Sequence, residues 1–159
     1  MPERAELLKR ISEESRRNYA VYTLFNQAMA CHLGLHPTDL QCLSLLEMEN
    51  GPLSTGEIAR LTGLTPGSAT RLVDRLEKAG FAERRADPED RRRALVVLTE
   101  GAVARVGAAW DAPGSAFRDV LANYTDEQLA VIGDYLARTS AVGRAQADCL
   151  RDAGPATAV

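Results

Sequence analysis

Two short amphipathic segments joined by a glycine turn constrain this chain more than any other feature. The capping box Ser54-Thr55-Gly56-Glu57 opens the first segment, and Thr62-Gly63 ends it. Thr65 then caps a second segment that ends at Gly80. This arrangement is typical of a helix-turn-helix. The apolar side chains that would pack beneath the two helices are Ile58, Ala59, Leu61, Ala69, Leu72, Val73 and Leu76.

The next segment predicts a β-hairpin with a charged tip. Residues 81–86 and 94–99 alternate in polarity or are rich in β-forming residues, and the turn-prone segment 87–93 lies between them. A hairpin directly after a helix-turn-helix gives the winged form. The formal net charge of −3 hides an asymmetry, because residues 54–99 hold 9 basic and 7 acidic residues and the remainder holds 10 and 15. Positive charge is therefore concentrated in the middle of the chain.

Longer helices flank this region. Pro2 to Leu33 has no internal Pro or Gly, and its apolar residues recur at three- and four-residue steps, which predicts one long helix packed against another helix or subunit. Thr38 with Gln41 predicts a capping box for a second helix that ends near Met48.

Two further helices are predicted after the hairpin. Thr99 can cap the first, and Ala112-Pro113-Gly114 predicts a kink or break within it. Thr125 with Gln128 begins the last helix.

The polar face of the second short helix suits the major groove of DNA. Thr70 can meet a base edge or a thymine methyl, and Arg71 can reach guanine or phosphate. Gly67 and Ser68 are small enough for close approach, and the helix N-terminus at Thr65 directs free N–H groups toward a phosphate. The alternative is a solvated helix face. The adjoining wing favours DNA.

The arginines of the hairpin tip cannot all serve its hydrogen-bond ladder. Arg92 is placed to enter a narrow minor groove, and Asp90 to orient it. The predicted DNA-binding residues are Ser54, Thr55, Thr65, Pro66, Gly67, Ser68, Thr70, Arg71, Arg75, Arg84, Arg91 and Arg92.

The stretch from Ser54 to Gly101 resembles the MarR family of bacterial regulators. The resemblance implies a homodimer whose first and last helices interlock, with two winged lobes on a pseudo-palindromic operator of double-stranded DNA. Family members mostly repress, and many release DNA when a small aromatic acid, a metabolite or an oxidant acts between the dimerisation helices and the lobe. In the family, the arginine matching Arg92 enters the minor groove, and the aspartate matching Asp90 holds it. The matching segments are residues 64–77, Gly80-Phe81, residues 87–92 and residues 98–101.

The predicted fold is therefore mainly α with a small β-hairpin wing, a winged helix-turn-helix with N- and C-terminal dimerisation helices. We expect an N-terminal dimerisation helix over 1–36, the winged DNA-binding domain over 37–99, C-terminal dimerisation helices over 100–152 and a flexible tail over 153–159.

An effector pocket is a further hypothesis. Aromatic and histidine side chains near the junction of the first helix, the second helix and Pro113 could line a cavity for a small aromatic effector, although such residues at helical spacing usually form a core. The candidates are Tyr19, Tyr22, Phe25, His36 and Trp110, with Met29 and His32 beside them.

Other functional classes lack their signals. No Gly-rich phosphate loop, HExxH or GxSxG occurs, which argues against an enzyme, and neither a cofactor nor a metal site is predicted. Cys31, Cys42 and Cys149 are expected to be reduced thiols. The charged start and the lack of a long apolar run predict a cytoplasmic protein with no membrane partner. The alternative function is a non-regulatory winged-helix module for protein interaction or non-specific DNA organisation.

Overall fold

The computed structural model describes residues 3–49, 51–90 and 93–154. They form six helices and three short strands. The elements are α1 (Arg4–His32), α2 (Pro37–Met48), β1 (Leu53–Ser54), α3 (Thr55–Thr62), α4 (Pro66–Lys78), β2 (Ala82–Ala86), β3 (Ala94–Leu98), α5 (Glu100–Leu121) and α6 (Asp126–Ala153). The predicted mainly α fold with a winged helix-turn-helix is confirmed.

The helix-turn-helix forms for the reasons that its sequence suggests. The Ser54 hydroxyl accepts from the Glu57 N–H while the Glu57 carboxylate accepts from the Ser54 N–H, so the predicted capping box is present. Gly63 ends α3 in the left-handed region at φ +72°, where a side chain would be strained. Thr65 caps α4 by accepting from the Ser68 N–H, with Pro66 at the first helical position.

The sheet has one strand more than the sequence predicts. β2 and β3 form the expected hairpin, but β1 also pairs antiparallel with β3, giving the order β1-β3-β2. Leu53 lies opposite Val96, and both side chains are buried. A two-residue strand is too short to show an alternating pattern, so the sequence contains no signal for it.

One apolar core holds the winged helix-turn-helix together. It is formed by the inner faces of α2, α3 and α4, one face of the sheet, and the start of α5. Its largest fully buried side chains include Phe81, Ile58, Leu72 and Leu76. The predicted stripe of α4 is buried as expected, which turns the opposite face of that helix outward.

The start of α2 and the course of α5 differ from prediction. His36, not Thr38, is the N-cap of α2, and its Nδ1 accepts from the Thr38 N–H because Pro37 takes the first helical position. Of the two outcomes predicted at Pro113, the break does not occur, since α5 runs through this residue, and the kink stays a prediction. A proline removes one backbone donor and crowds one carbonyl, and the rest of a long helix can tolerate this.

The chain divides into two compact units, one up to Asp111 and one from Ala112 onward. In the first unit, α1 buries only Met29 and Ala30. In the second, α6 begins at the predicted Thr125–Gln128 capping box and has no buried residue. No helix of the described segments is long and apolar enough to cross a membrane.

Candidate nucleic-acid interface

The outward face of α4 carries the residues predicted to bind in a major groove. Gly67, Thr70 and Arg71 are exposed, and Ser68 is half-buried. The Thr70 hydroxyl donates to the Pro66 carbonyl at 3.0 Å, and the Arg71 guanidinium lies 3.4 Å from the Ser68 Oγ. Nothing lies within 4 Å of the position that a Gly67 Cβ would take, so this part of the helix surface is open. The face is preformed and accessible.

Arg84, a predicted DNA contact, connects the wing to the recognition helix α4. Its guanidinium donates to Asp74 Oδ1 at 2.7 Å and pairs with the Glu77 carboxylate. The Arg84 backbone N–H donates to the same Glu77 at 2.9 Å. Because this arginine lies on β2 and both acids lie on α4, the network fixes the position of the hairpin relative to the helix.

Arg75, also predicted to contact DNA, is engaged with α2. Its Nε and Nη2 donate to the two Asp39 oxygens at 3.0 and 2.5 Å. The Asp39 side chain is 3% exposed and the Arg75 side chain 51%. The hydrogen bonds that the guanidinium donates to Asp39 raise the pKa of Arg75. The sequence does not single out Asp39, because α2 also carries the polar residues Thr38, Gln41, Ser44 and Glu47, and because Arg75 lies 36 positions away.

The wing tip is closed by Asp87. Its carboxylate accepts from the Glu89 N–H at 2.9 Å and lies 3.8 Å from the Arg93 guanidinium, while its N–H donates to the Arg93 carbonyl at 3.1 Å. The Asp90 carbonyl accepts from the Arg93 N–H at 2.9 Å. Arg91 and Arg92 lie outside the described residues, so the expected contact between Asp90 and Arg92 stays a prediction.

Ser54 and Thr55, also predicted to contact DNA, lie at the entry of α3. Both are half-buried, and the Ser54 side chain is already used in the cap. Hydrogen bonds from the Ser54 hydroxyl and backbone lower the pKa of Glu57. Ser54 therefore forms the predicted helix cap, and its contact with DNA stays a prediction.

The structure brings three of the five predicted pocket residues together, because the rings of Tyr22 and Phe25 have centroids 6.0 Å apart and Phe25 also contacts Trp110. Tyr19 and Tyr22 are 76% and 50% exposed, and His36 is occupied as the N-cap of α2. Phe25 makes an edge contact with Trp110, with ring centroids 5.3 Å apart. Among the five, only Trp110 lines the pocket between α2 and α5, which encloses about 290 Å³.

The three cysteines occupy different environments. Cys42 is buried in the core, and burial, with the nearby Asp39 charge, raises the pKa of its thiol to about 12. Cys31 and Cys149 are exposed. Among the described residues, no three His, Cys, Asp or Glu side chains form a group that could hold a metal ion.

Comparisons with known proteins identify the family. A model of the MarR family matches residues 33–93. The uncharacterized HTH-type transcriptional regulator YcgE of Bacillus subtilis is 38% identical over 137 residues, which cover 86% of this chain and 88% of that protein. The chain belongs to the MarR family. It is a DNA-binding transcriptional regulator, and regulators of this family bind DNA as dimers.

Other relatives agree with this assignment. The HTH-type transcriptional repressor YetL of Bacillus subtilis is 31% identical over 112 residues, 67% of each chain. A MarR family protein from Bacillus stearothermophilus has the same fold, with a TM-score of 0.68 at 20% identity over 87% of this chain and 96% of that one. Apo MarR from E. coli has a TM-score of 0.55 at 20% identity, over 87% and 98% of the chains.

Proposed function

We propose that this MarR family regulator is a homodimeric repressor of a pseudo-palindromic operator and that a small molecule releases it from DNA. It acts by binding alone, without a catalytic step, in the cytoplasm. Recognition helix and wing contact the same duplex, α4 in the major groove and the wing tip in the adjacent minor groove. The observation that carries the proposal is the network of Arg84 with Asp74 and Glu77, because it fixes the wing, β2 and β3, to α4 so that both can contact one duplex.

The outer helices support the dimer. In α1 the large apolar side chains of Leu7, Leu8 and Ile11 are 44 to 54% exposed. In α6, Val131, Leu136, Val142 and Leu150 are 54 to 70% exposed. Apolar side chains repeated along a helix surface at this exposure mark an interface in a protein of this size. A second copy of the chain, with the same helices, is the proposed partner.

The contacts of each basic residue on α4 and the wing indicate its role. Arg71 and Lys78 have no acidic partner within hydrogen-bond distance among the described residues, and both are exposed on α4. Arg71 is the proposed base contact, and Thr65 with the first turn of α4 the phosphate contact. Arg75 and Arg84 hold the surface in place.

Light scattering and footprinting test the proposal together. We expect a dimer at micromolar concentration and a discrete protected site beside the protein's own gene, with half-sites about one helical turn apart. Arg71→Ala should weaken binding by about 1–3 kcal/mol and relax preference at one base position per half-site. Arg17→Ala, an exposed change on α1, is the matched control. A monomer, or protection without a discrete boundary, contradicts the proposal.

A further inference from the structure

The pocket between α2 and α5 combines an apolar lining with one carboxylate. Most of its lining is apolar, and α2 contributes two polar side chains, Ser44 and Glu47. At about 290 Å³ it is at the lower end of the range for small-molecule sites, which suits a ligand built on one ring. The apolar lining consists of Leu43, Leu98, Ala102, Val103, Val106, Gly107 and Trp110.

Glu47 is the only ionisable side chain in this lining. Among the residues that the structure describes, its carboxylate has no salt bridge within 4.0 Å. The lining contains no Lys, Arg or His. A bound anion would therefore meet a negative charge without a compensating positive one, whereas a cation would find a counter-charge.

Trp110 adds a second feature that favours a cation. Tryptophan has the strongest quadrupole among the aromatic side chains, and a cation over its face is attracted within about 6 Å of the ring. An indole, a carboxylate and aliphatic walls together form the chemistry by which proteins recognise alkylated or aromatic ammonium groups.

We propose that this pocket binds a small organic cation with an apolar or aromatic body, Glu47 supplying the counter-charge and Trp110 the aromatic wall. The proposal rests on the proposed ligand-responsive function and narrows its ligand class, because the resemblance alone suggests aromatic acids among other effectors. Here the charge of the lining disfavours acids.

Both helices that line the pocket also contact the recognition helix. From α2, Asp39 binds Arg75 of α4. From α5, Arg105 donates to the carbonyl of Ala79, the C-cap of α4, at 3.1 Å, and its guanidinium lies 3.9 Å above the Phe81 ring. A ligand that changes the spacing of α2 and α5 therefore acts on two contacts that hold α4.

The chain has a single tryptophan, so its fluorescence reports on this pocket directly. The full-length protein is titrated with benzyltrimethylammonium, phenylacetate and 2-phenylethanol, and binding is followed by Trp110 fluorescence and by thermal shift. We expect the cation to bind about tenfold tighter than the neutral alcohol, and phenylacetate to bind more weakly than either.

Two variants assign the effect. Because Glu47 is exposed, Glu47→Gln should weaken binding of the cation by about two- to fivefold and leave binding of the alcohol unchanged. Asp111→Asn removes the same charge from the exposed residue next to Trp110, outside the lining, and should leave both unchanged. Phenylacetate binding as tightly as the cation, an unaltered cation affinity in Glu47→Gln, or no response to any of the three ligands overturns the proposal.

The same samples separate this inference from the proposed function. Binding to the footprinted operator is measured for each variant without ligand, and Glu47→Gln should bind as the wild type does. If the wild type binds the operator but the predicted preference for the cation is absent, only the proposed ligand class is wrong. If the wild type does not bind the operator, the proposed function is wrong.

Discussion

The ion pair between Asp39 and Arg75 predicts an asymmetric response to mutation. Arg75→Met leaves a carboxylate whose side chain is 3% exposed without its cation, and removing one partner of a buried pair costs about 3–5 kcal/mol of unfolding free energy. Asp39→Asn leaves a guanidinium that is 51% exposed and can turn to water, and the amide keeps one acceptor. Its cost should be about 1.5–3 kcal/mol, near that of a lost charge-assisted hydrogen bond.

The double variant Asp39→Leu with Arg75→Met removes both charges at once. Replacing both partners by apolar side chains should recover most of the loss, because no buried charge is left unpaired. Urea unfolding at one fixed protein concentration measures all four proteins, since the stability of a dimer depends on concentration. Equal costs for the two single variants, or a larger cost for Asp39→Asn, would refute this reasoning.

The same double variant also tests what Arg75 does for DNA. A folded double variant that binds the operator with nearly wild-type affinity assigns Arg75 to positioning α4. A loss of about tenfold or more in that variant assigns it to the DNA contact that the sequence predicts.

Three further predictions follow from local geometry. Gly67→Ala should raise helix stability by up to about 1 kcal/mol, since its Cβ meets nothing within 4 Å. The same methyl group should keep α4 from the groove and weaken operator binding about tenfold, so unfolding experiments should show higher stability while gel shifts show lower affinity. In the folded protein the pKa of the Cys42 thiol is raised to about 12, so this thiol ionises at lower pH in the unfolded state. The free energy of unfolding should therefore fall as the pH rises from about 9 toward 12, and Cys42→Ala should lose that dependence. Ser54→Ala removes the cap of α3 and should lower the free energy of unfolding by about 1 kcal/mol. The fold lowers the pKa of Glu57, so the stability that Glu57 confers is present above its unfolded pKa and is lost as the pH falls through its folded pKa. The stability of the variant should therefore depend less on acid pH.

The sequence predicts what local chemistry determines. Caps, glycine turns and apolar spacing determine α3, α4 and the hairpin, and these were confirmed nearly residue by residue. Contacts between residues distant in the chain carry no such signal. Arg75 reaches Asp39, 36 positions earlier, and Arg105 reaches Ala79, 26 positions earlier. An exposed-looking arginine on a recognition helix has the same sequence signature whether it meets DNA or a buried carboxylate.

The pairing of charges explains how a chain with net charge −3 can present a cationic face. On the lobe, Arg84 neutralises Asp74 and Glu77 of α4, so those acids are held by the wing and their repulsion of a phosphate backbone is reduced. Arg71 and Lys78 then project from the same helix without acidic partners among the described residues. Each of these cations that contacts a phosphate should steepen the fall of log K with log salt by about 0.9. We therefore expect phosphate contacts to supply affinity, and the fixed geometry of helix and wing, with Arg71 as the proposed base contact, to supply specificity.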